Sequence, residues 1–214
     1  MLVQIVLFDG FDLLDALAPF EVLGAGGMLA GGGLTVELVA VDGPRDVPSG
    51  LGGPRIAAGV LDPERADIVI VPGAAGALDG DGPDTVPALL DRAASSGLPA
   101  LLARTMARPG ATMATVCGGS LILGIAGMLK GRHAVTHHMG MAVLAATGAT
   151  VVAARVVDDG NFVSAGGVTS GLDLALHLLE RTLGPRIAHA TESLFEYERR
   201  GTVWRPEGRE PVTA

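Results

Sequence analysis

Three observations predict a doubly wound α/β fold, with a mostly parallel sheet between two layers of helices. Short β-branched runs alternate with longer Ala/Leu-rich segments along the chain. The short runs are almost continuously apolar rather than alternating, as strands covered on both faces are. Each strand-like run is followed by a helix-like one, and such crossovers join parallel strands.

The elements follow in order. Val3–Phe8 is the first strand and Leu14–Leu29 the first helix. Leu34–Val41 and Asp67–Val71 are further strands, and Thr85–Ser96 is a helix that stops at Gly97. Ala111–Val116 is a buried strand, followed by a helix over Ser120–Leu129 that stops at Gly131. Ala134–Ala154 reads as strand, helix and strand. Thr150–Val157, a turn at Asp158–Asp159–Gly160 and Asn161–Ala165 form a hairpin. Ser170-Gly-Leu-Asp173 has the capping-box pattern and opens a helix ending near Leu183, with another after Pro185. The expected organisation is one domain over residues 1–198 and a tail over 199–214, since only Arg199–Ala214 has the Pro, Gly and charge content of a loose segment.

Composition narrows the function classes. With 214 residues, 49% hydrophobic and 18% charged, the chain can bury a substantial core and is not of the disordered class. The 32 glycines follow no Gly-X-Y period, which excludes collagen. Fifteen basic against 23 acidic residues give −8, and Lys130 is the only lysine, so a phosphate-tracking surface and a nucleic-acid partner are not expected. Cys117 is the single cysteine, so no internal disulfide forms. The opening MLVQIVLFDG lacks the basic flank and cleavage site of a secretion signal, which points to the cytoplasm. The uncharged run Cys117–Leu129 falls short of the ~20 apolar residues a bilayer span needs, and no membrane segment is expected. Gly24-Ala-Gly-Gly-Met-Leu29 does not complete G-x-G-x-x-G, and no Walker-type loop occurs, so neither NAD nor ATP is indicated and no cofactor is expected.

In a doubly wound sheet the ligand site lies beyond the carboxyl ends of the strands. The informative end is Thr115-Val-Cys-Gly-Gly-Ser120: a buried strand stops, Cys117 takes a sharp turn, and Gly118-Gly119 allow a helix to begin at once. This pattern reads as a nucleophile elbow. The helix start is expected to favour the thiolate of Cys117, against the plain alternative of a small buried hydrophobe. After the first strand come Asp9, Asp12, Asp15 and Glu21, which the residues themselves leave unranked; each also suits a helix start. After the third, Val71-Pro-Gly-Ala74 supplies amides at Gly73 and Ala74 that can face an oxyanion, or simply make a turn. His137 ends a short strand downstream of the elbow helix, where it can orient a substrate or bond the thiolate. No metal site is expected, because His133 and His137 in an extended strand stand about 13 Å apart. His177 reads as a packed or interface residue, and His189 shows no pattern.

The elbow, the entry Leu14-Asp-Ala-Leu-Ala-Pro19, the turn Val71-Pro-Gly73, Val135-Thr-His137 and Gly166-Gly-Val-Thr-Ser-Gly-Leu-Asp173 together resemble the ThiJ/PfpI superfamily, from Val3 to about Tyr197. Within it they look most like isocyanide hydratases and the amino-terminal sensor domain of AraC-type regulators. The resemblance implies a flavodoxin-like three-layer sandwich, a homodimer, Cys117 as nucleophile and Asp15 as the nearby acid. Gly118 takes the position after the cysteine, where isocyanide hydratases carry threonine, so that side-chain hydroxyl contact is missing and an oxyanion or substrate contact is expected from its amide. The resemblance also gives His137 the place of a histidine near the cysteine in glyoxalase-type members. The expected activity is hydration of an isocyanide to an N-substituted formamide. The alternatives are a cofactor-independent glyoxalase-type reaction on a 2-oxoaldehyde, or a ligand or redox sensor. AraC-type regulators add a helix-turn-helix region, whereas sixteen residues follow Glu198 here, so DNA binding is not expected of this chain.

Overall fold

The computed structural model describes residues 1–210 and Val212. Its first half runs β1 (Leu2–Val6), α1 (Leu13–Leu29), β2 (Thr35–Ala40), β3 (Arg45–Pro48), β4 (Arg55–Val60), β5 (Ile68–Val71), α2 (Val86–Ala94) and α3 (Leu98–Ala107). The second half runs β6 (Thr112–Val116), α4 (Gly119–Ile125), β7 (His133–Ala134), α5 (Met141–Ala146), β8 (Thr150–Val151), β9 (Val156–Asp158), β10 (Phe162–Ala165), α6 (Ser170–Leu183) and α7 (Pro185–Phe195). A 3₁₀ turn at His138–Gly140 precedes α5.

Eight strands form the main sheet in the order β3-β4-β2-β1-β5-β6-β10-β9. The neighbours from β4 to β10 are parallel, and antiparallel β3 and β9 close the two edges. The registers Ile5↔Ile70, Ile70↔Ala114 and Ala114↔Val163 lay one apolar row across the sheet. That row belongs to a core shared with Leu23 of α1, Leu174–Leu179 of α6 and Ala188 of α7. Because strand side chains alternate, Val69, Val71, Met113 and Phe162 face the other way. They pack with Leu89 and Leu90 of α2, Leu98 and Leu102 of α3, Ile122 and Leu123 of α4, and Leu144 of α5. The predicted doubly wound, three-layer α/β fold is therefore present.

Several elements depart from the sequence expectation. The β3–β4 hairpin was not anticipated: its strands are short, carry Arg45, Asp46 and Arg55, and sit at a sheet edge where charge is tolerated and apolar pattern is weak. Helix α3 was also missed, because it starts close behind α2 with Pro99 in its first turn, and the break at Gly97 masks it. The predicted strand Thr150–Val157 splits. β8 pairs with β7 in a separate two-stranded sheet, while β9 pairs with β10. The capping box at Ser170 does not form, since Thr169 is the N-cap without a side-chain bond and Ser170 is already helical. Asp173 instead accepts from Arg155 Nε at 2.5 Å and Tyr197 OH at 2.9 Å.

In the stretch from Arg199, that side chain pairs with Glu180 and Glu192, Arg200 N–H donates to Asp173, and Trp204 bridges to Val157. No helix among the described residues is long and apolar enough to cross a membrane.

The chain order reverses at β1, which has β2 on one side and β5 on the other. This is the switch point at which a doubly wound sheet opens a crevice beyond its carboxyl ends. The start of α1, which follows β1, and the loops after β5 and β6 carry Asp15, Gly73 and Cys117 into it.

Candidate active site

Asp15 reaches the crevice because Asp12 takes the capping role. The Asp12 carboxylate accepts from Leu14 N–H at 2.9 Å and Asp15 N–H at 3.3 Å, which leaves the third helical residue free to turn inward. Asp15 is fully buried, at 0% exposure. Its Oδ2 accepts from Gly73 N–H at 2.9 Å, while Oδ1 has no hydrogen-bond partner among the described residues. Burial, with Asp12 nearby, pushes the carboxyl up to about 8, outweighing the Gly73 amide and the Cys117 thiol, which favour the carboxylate. At neutral pH Asp15 therefore keeps its proton. With Oδ2 occupied as an acceptor, that proton belongs on Oδ1.

Cys117 sits at the elbow with φ of +54°, a left-handed conformation that costs a residue with Cβ about 1–2 kcal/mol. The surroundings hold it there. Its N–H is shared between Ala165 O at 3.1 Å and Gly166 O at 2.8 Å, and its carbonyl accepts from the buried Thr136 hydroxyl at 2.7 Å. The amides of Val168 and Gly118 lie near the sulfur and favour its anionic form.

These amides do not deliver the thiolate expected from the sequence. Burial, then the neighbouring Asp15, pushes the thiol up to about 12, and the two amides only partly oppose that. The following helix α4 is short, Gly119–Ile125, and a dipole that weakens within one turn does not offset the desolvation. The resting site is a neutral thiol beside a neutral carboxyl.

Close approach of the backbones makes this possible. A Cβ on Gly73 would fall 2.6 Å from Gly118 N and 2.8 Å from Asp15 Oδ2, so only glycine lets the β5 loop touch both partners. A Cβ on Gly118 would lie 3.0 Å from Leu90 Cδ1, so hydrocarbon from α2 fills the space beside the elbow. Ala74 is buried opposite Phe11. The flanking bonds Asp12 N–H to Gly73 O and Ala75 N–H to Gly10 O keep the N–H of Ala74 outside that ladder.

Beneath the elbow runs a chain of buried hydroxyls. Ser120 Oγ donates to Val135 O at 2.7 Å, and a hydroxyl has one proton, so Thr115 is the donor in the 2.6 Å contact between Thr115 Oγ1 and Ser120 Oγ. Ser164 Oγ accepts from Val135 N–H at 3.0 Å. These bonds tie β6, β10 and α4 to the segment that carries Thr136.

Of the residues singled out from the sequence, Asp15, Gly73, Gly118 and Cys117 come together, with Ala74 adjoining. His137 stands at the edge. It is half-buried, its Nδ1 accepts from Met139 N–H at 3.3 Å, and its Cδ2 lies 2.8 Å from where a Gly167 Cβ would be. Burial and the neighbouring His138 lower its pKa. Asp9 pairs with Arg45 instead. His133 pairs with Asp159 at 3.0 Å, and His177 with Asp158 at 2.8 Å. Sequence reasoning gave no site role to Thr136 or Val168, although both lie in segments it had marked. A hydroxyl reaching a carbonyl nineteen residues away leaves no local pattern.

A cleft of about 740 Å³ opens nearby, lined by Gly10, Ser49, Ala75, Asp84, Leu89 and Arg92 among others. Gly10 and Ala75, which bond to each other, line it, whereas Asp15 and Cys117 do not.

The DJ-1/PfpI family model matches residues 1–181. The isonitrile hydratase of Pseudomonas putida is 40% identical over 94 residues, which is 44% of this chain and 41% of that protein. The HTH-type transcriptional regulator GbdR of Pseudomonas aeruginosa is 33% identical over 99 residues, covering 45% of this chain and 27% of the regulator. This chain thus spans less than half the length of either curated relative. Among solved structures, a ThiJ/PfpI family protein from Pseudomonas syringae superposes with a TM-score of 0.76 at 28% identity, over 94% of this chain and 76% of its own. Drosophila melanogaster DJ-1beta superposes with a TM-score of 0.75 at 17% identity, over 92% and 98%, a likeness of fold alone.

Proposed function

Because this chain belongs to the DJ-1/PfpI family, and its elbow cysteine meets a proton-bearing carboxyl, we propose that it is a cysteine-dependent enzyme that hydrates an isocyanide to an N-substituted formamide. The observation that carries this reading is the buried pair of Asp15 and Cys117 at the switch point of the sheet. The partial similarity to an isonitrile hydratase supports the substrate class.

The chemistry suits a neutral pair. An isocyanide presents a terminal carbon with a lone pair that takes up a proton and an empty orbital that takes up sulfur. In the first step Asp15 gives its Oδ1 proton to that carbon while Cys117 Sγ forms the C–S bond and passes its own proton to the carboxyl. The product is a thioimidate, and no bare thiolate has to exist in the buried site. Water then adds to the C=N carbon, losing a proton to Asp15 as Asp15 protonates the nitrogen. The tetrahedral adduct collapses as its hydroxyl proton returns through Asp15 to the departing sulfur, releasing R–NH–CHO and restoring Cys117. The sum is isocyanide plus water to formamide. The Gly118 amide, with that of Ala74, stabilises charge that builds up at the reacting centre. His137 orients the substrate from the rim.

A homodimer and a reducing compartment belong to this proposal, since a free thiol persists where disulfides are reduced. The similarity to the regulator supports a second reading, a ligand or redox sensor without turnover. Incubation with a small isocyanide and with methylglyoxal, assayed for formamide and lactate, separates the possibilities. Formamide from the wild type and none from Cys117→Ala supports hydration. Lactate in place of formamide assigns the glyoxalase-type reaction, and no product from either substrate assigns the sensor.

A further inference from the structure

We infer that Thr136 is the positioning residue of the elbow: its hydroxyl, by holding the Cys117 carbonyl, fixes the Gly118 N–H toward the sulfur. The reason is the planarity of the peptide unit. The Cys117 C=O and the Gly118 N–H lie in one plane and point in opposite directions, so anchoring one aims the other.

The anchor is specific. Thr136 Oγ1 donates to Cys117 O at 2.7 Å, and Thr136 is 1% exposed, so water does not replace it. The lock is needed because Cys117 has φ of +54° and is followed by Gly118 and Gly119. A left-handed residue before glycine can relax by rotating the intervening peptide, because glycine accepts the new φ without steric cost. That rotation would swing the Gly118 amide away from Sγ. The Cys117 N–H is tied to Ala165 O and Gly166 O, but those bonds fix the preceding peptide and not this one. Thr136 is itself held, because Val135 on its amino side is bonded through both N–H and C=O to Ser164 and Ser120.

The assignment extends the proposed hydratase reading, in which Gly118 stabilises charge, yet it is testable without that activity because Cys117 is the only thiol in the chain. Full-length wild type, Thr136→Ser, Thr136→Ala and Thr136→Val are compared in the rate of Cys117 alkylation by iodoacetamide at pH 8. Isocyanide turnover and thermal unfolding are measured in parallel. Serine and alanine differ by one hydroxyl, so this pair stays decisive should the valine variant not fold. The expected result is that Thr136→Ser alkylates within about twofold of wild type, while Thr136→Ala slows by roughly tenfold, less than the ~10²–10³ for removing an anion-facing donor outright, because the amide is misaimed and not absent. In turnover, the alanine variant should lose kcat with KM little changed, and serine should restore it. Equal rates for serine and alanine variants, or faster alkylation in alanine from simple loosening, would overturn the assignment. Absence of isocyanide turnover in the wild type would remove the hydratase reading and leave the alkylation comparison to decide the role of Thr136.

Discussion

The Asp15 carboxyl and the Cys117 thiol meet as a buried pair in which the carboxylate strengthens the thiol's hold on its proton, while the thiol weakens the carboxyl's. Burial is the largest cause for both, lifting Asp15 to about 8 and Cys117 to about 12. The proposed reaction accordingly hands protons between neutral groups.

Asp15 makes stability fall with rising pH. Its folded pKa, about 8, stands above the ordinary 3.8, so between those values the folded chain holds a proton the unfolded chain has released. Its contribution is fully present below pH 3.8 and is lost as pH rises through about 8, at roughly 1.4 kcal/mol per pH unit. Urea unfolding of Asp15→Asn, which keeps an acceptor for Gly73 N–H, should show a flatter pH dependence and greater stability than wild type at pH 8. A slope identical to that of wild type would count against a protonated Asp15.

Isocyanide turnover by Asp15→Asn should fall by about 10²–10⁴, the range for losing a positioned acid-base group. Steady-state kinetics at neutral pH measure it. A loss smaller than threefold would take Asp15 out of proton transfer.

Gly73→Ala places a methyl group 2.6 Å from Gly118 N and 2.8 Å from Asp15 Oδ2. Overpacking of this sort costs about 1–3 kcal/mol. Because it pushes apart the two halves of the site, formamide production should drop more steeply than the melting temperature. A variant equal to wild type in both would mean that the two loops are not in contact.

The hydroxyl chain under the elbow gives a double-mutant cycle. Ser120→Ala leaves Val135 O and the Thr115 hydroxyl without their partner, at about 1–3 kcal/mol. In Thr115→Val/Ser120→Ala the loss should be less than the sum of the single variants, because the second change removes a group already orphaned. Additive losses in chemical denaturation would show that the two hydroxyls do not interact.

The fold was legible because continuous apolar strands and their crossover helices repeat a local pattern that a parallel sheet requires. The β3–β4 hairpin escaped because an edge pair needs little buried apolar surface, and α3 because only three residues separate it from α2. At the site, Cys117 was readable from the elbow itself, where a strand end meets two glycines. Asp15 was separated from Asp9 and Asp12 only by the family resemblance, since all three are acids near a helix start. What distinguishes it physically is that Asp12 caps the helix and Asp9 pairs with Arg45, relations made by folding. The acidity of Cys117 was misread for the same reason. The short helix behind it is visible in sequence, but the burial that outweighs the helix comes from Asp15 and three loops that meet only in the folded chain.

The protonation of Asp15 is what the proposed chemistry needs most, and carbon-detected NMR can follow it through the side-chain carboxyl as pH is varied, assigned by comparison with Asp15→Asn. A midpoint near 8, shifting upward when Cys117→Ala removes the thiol that favours the carboxylate, is the predicted result. A midpoint in the ordinary range near 3.8 would contradict it, because the carboxyl would then have no proton to give at neutral pH.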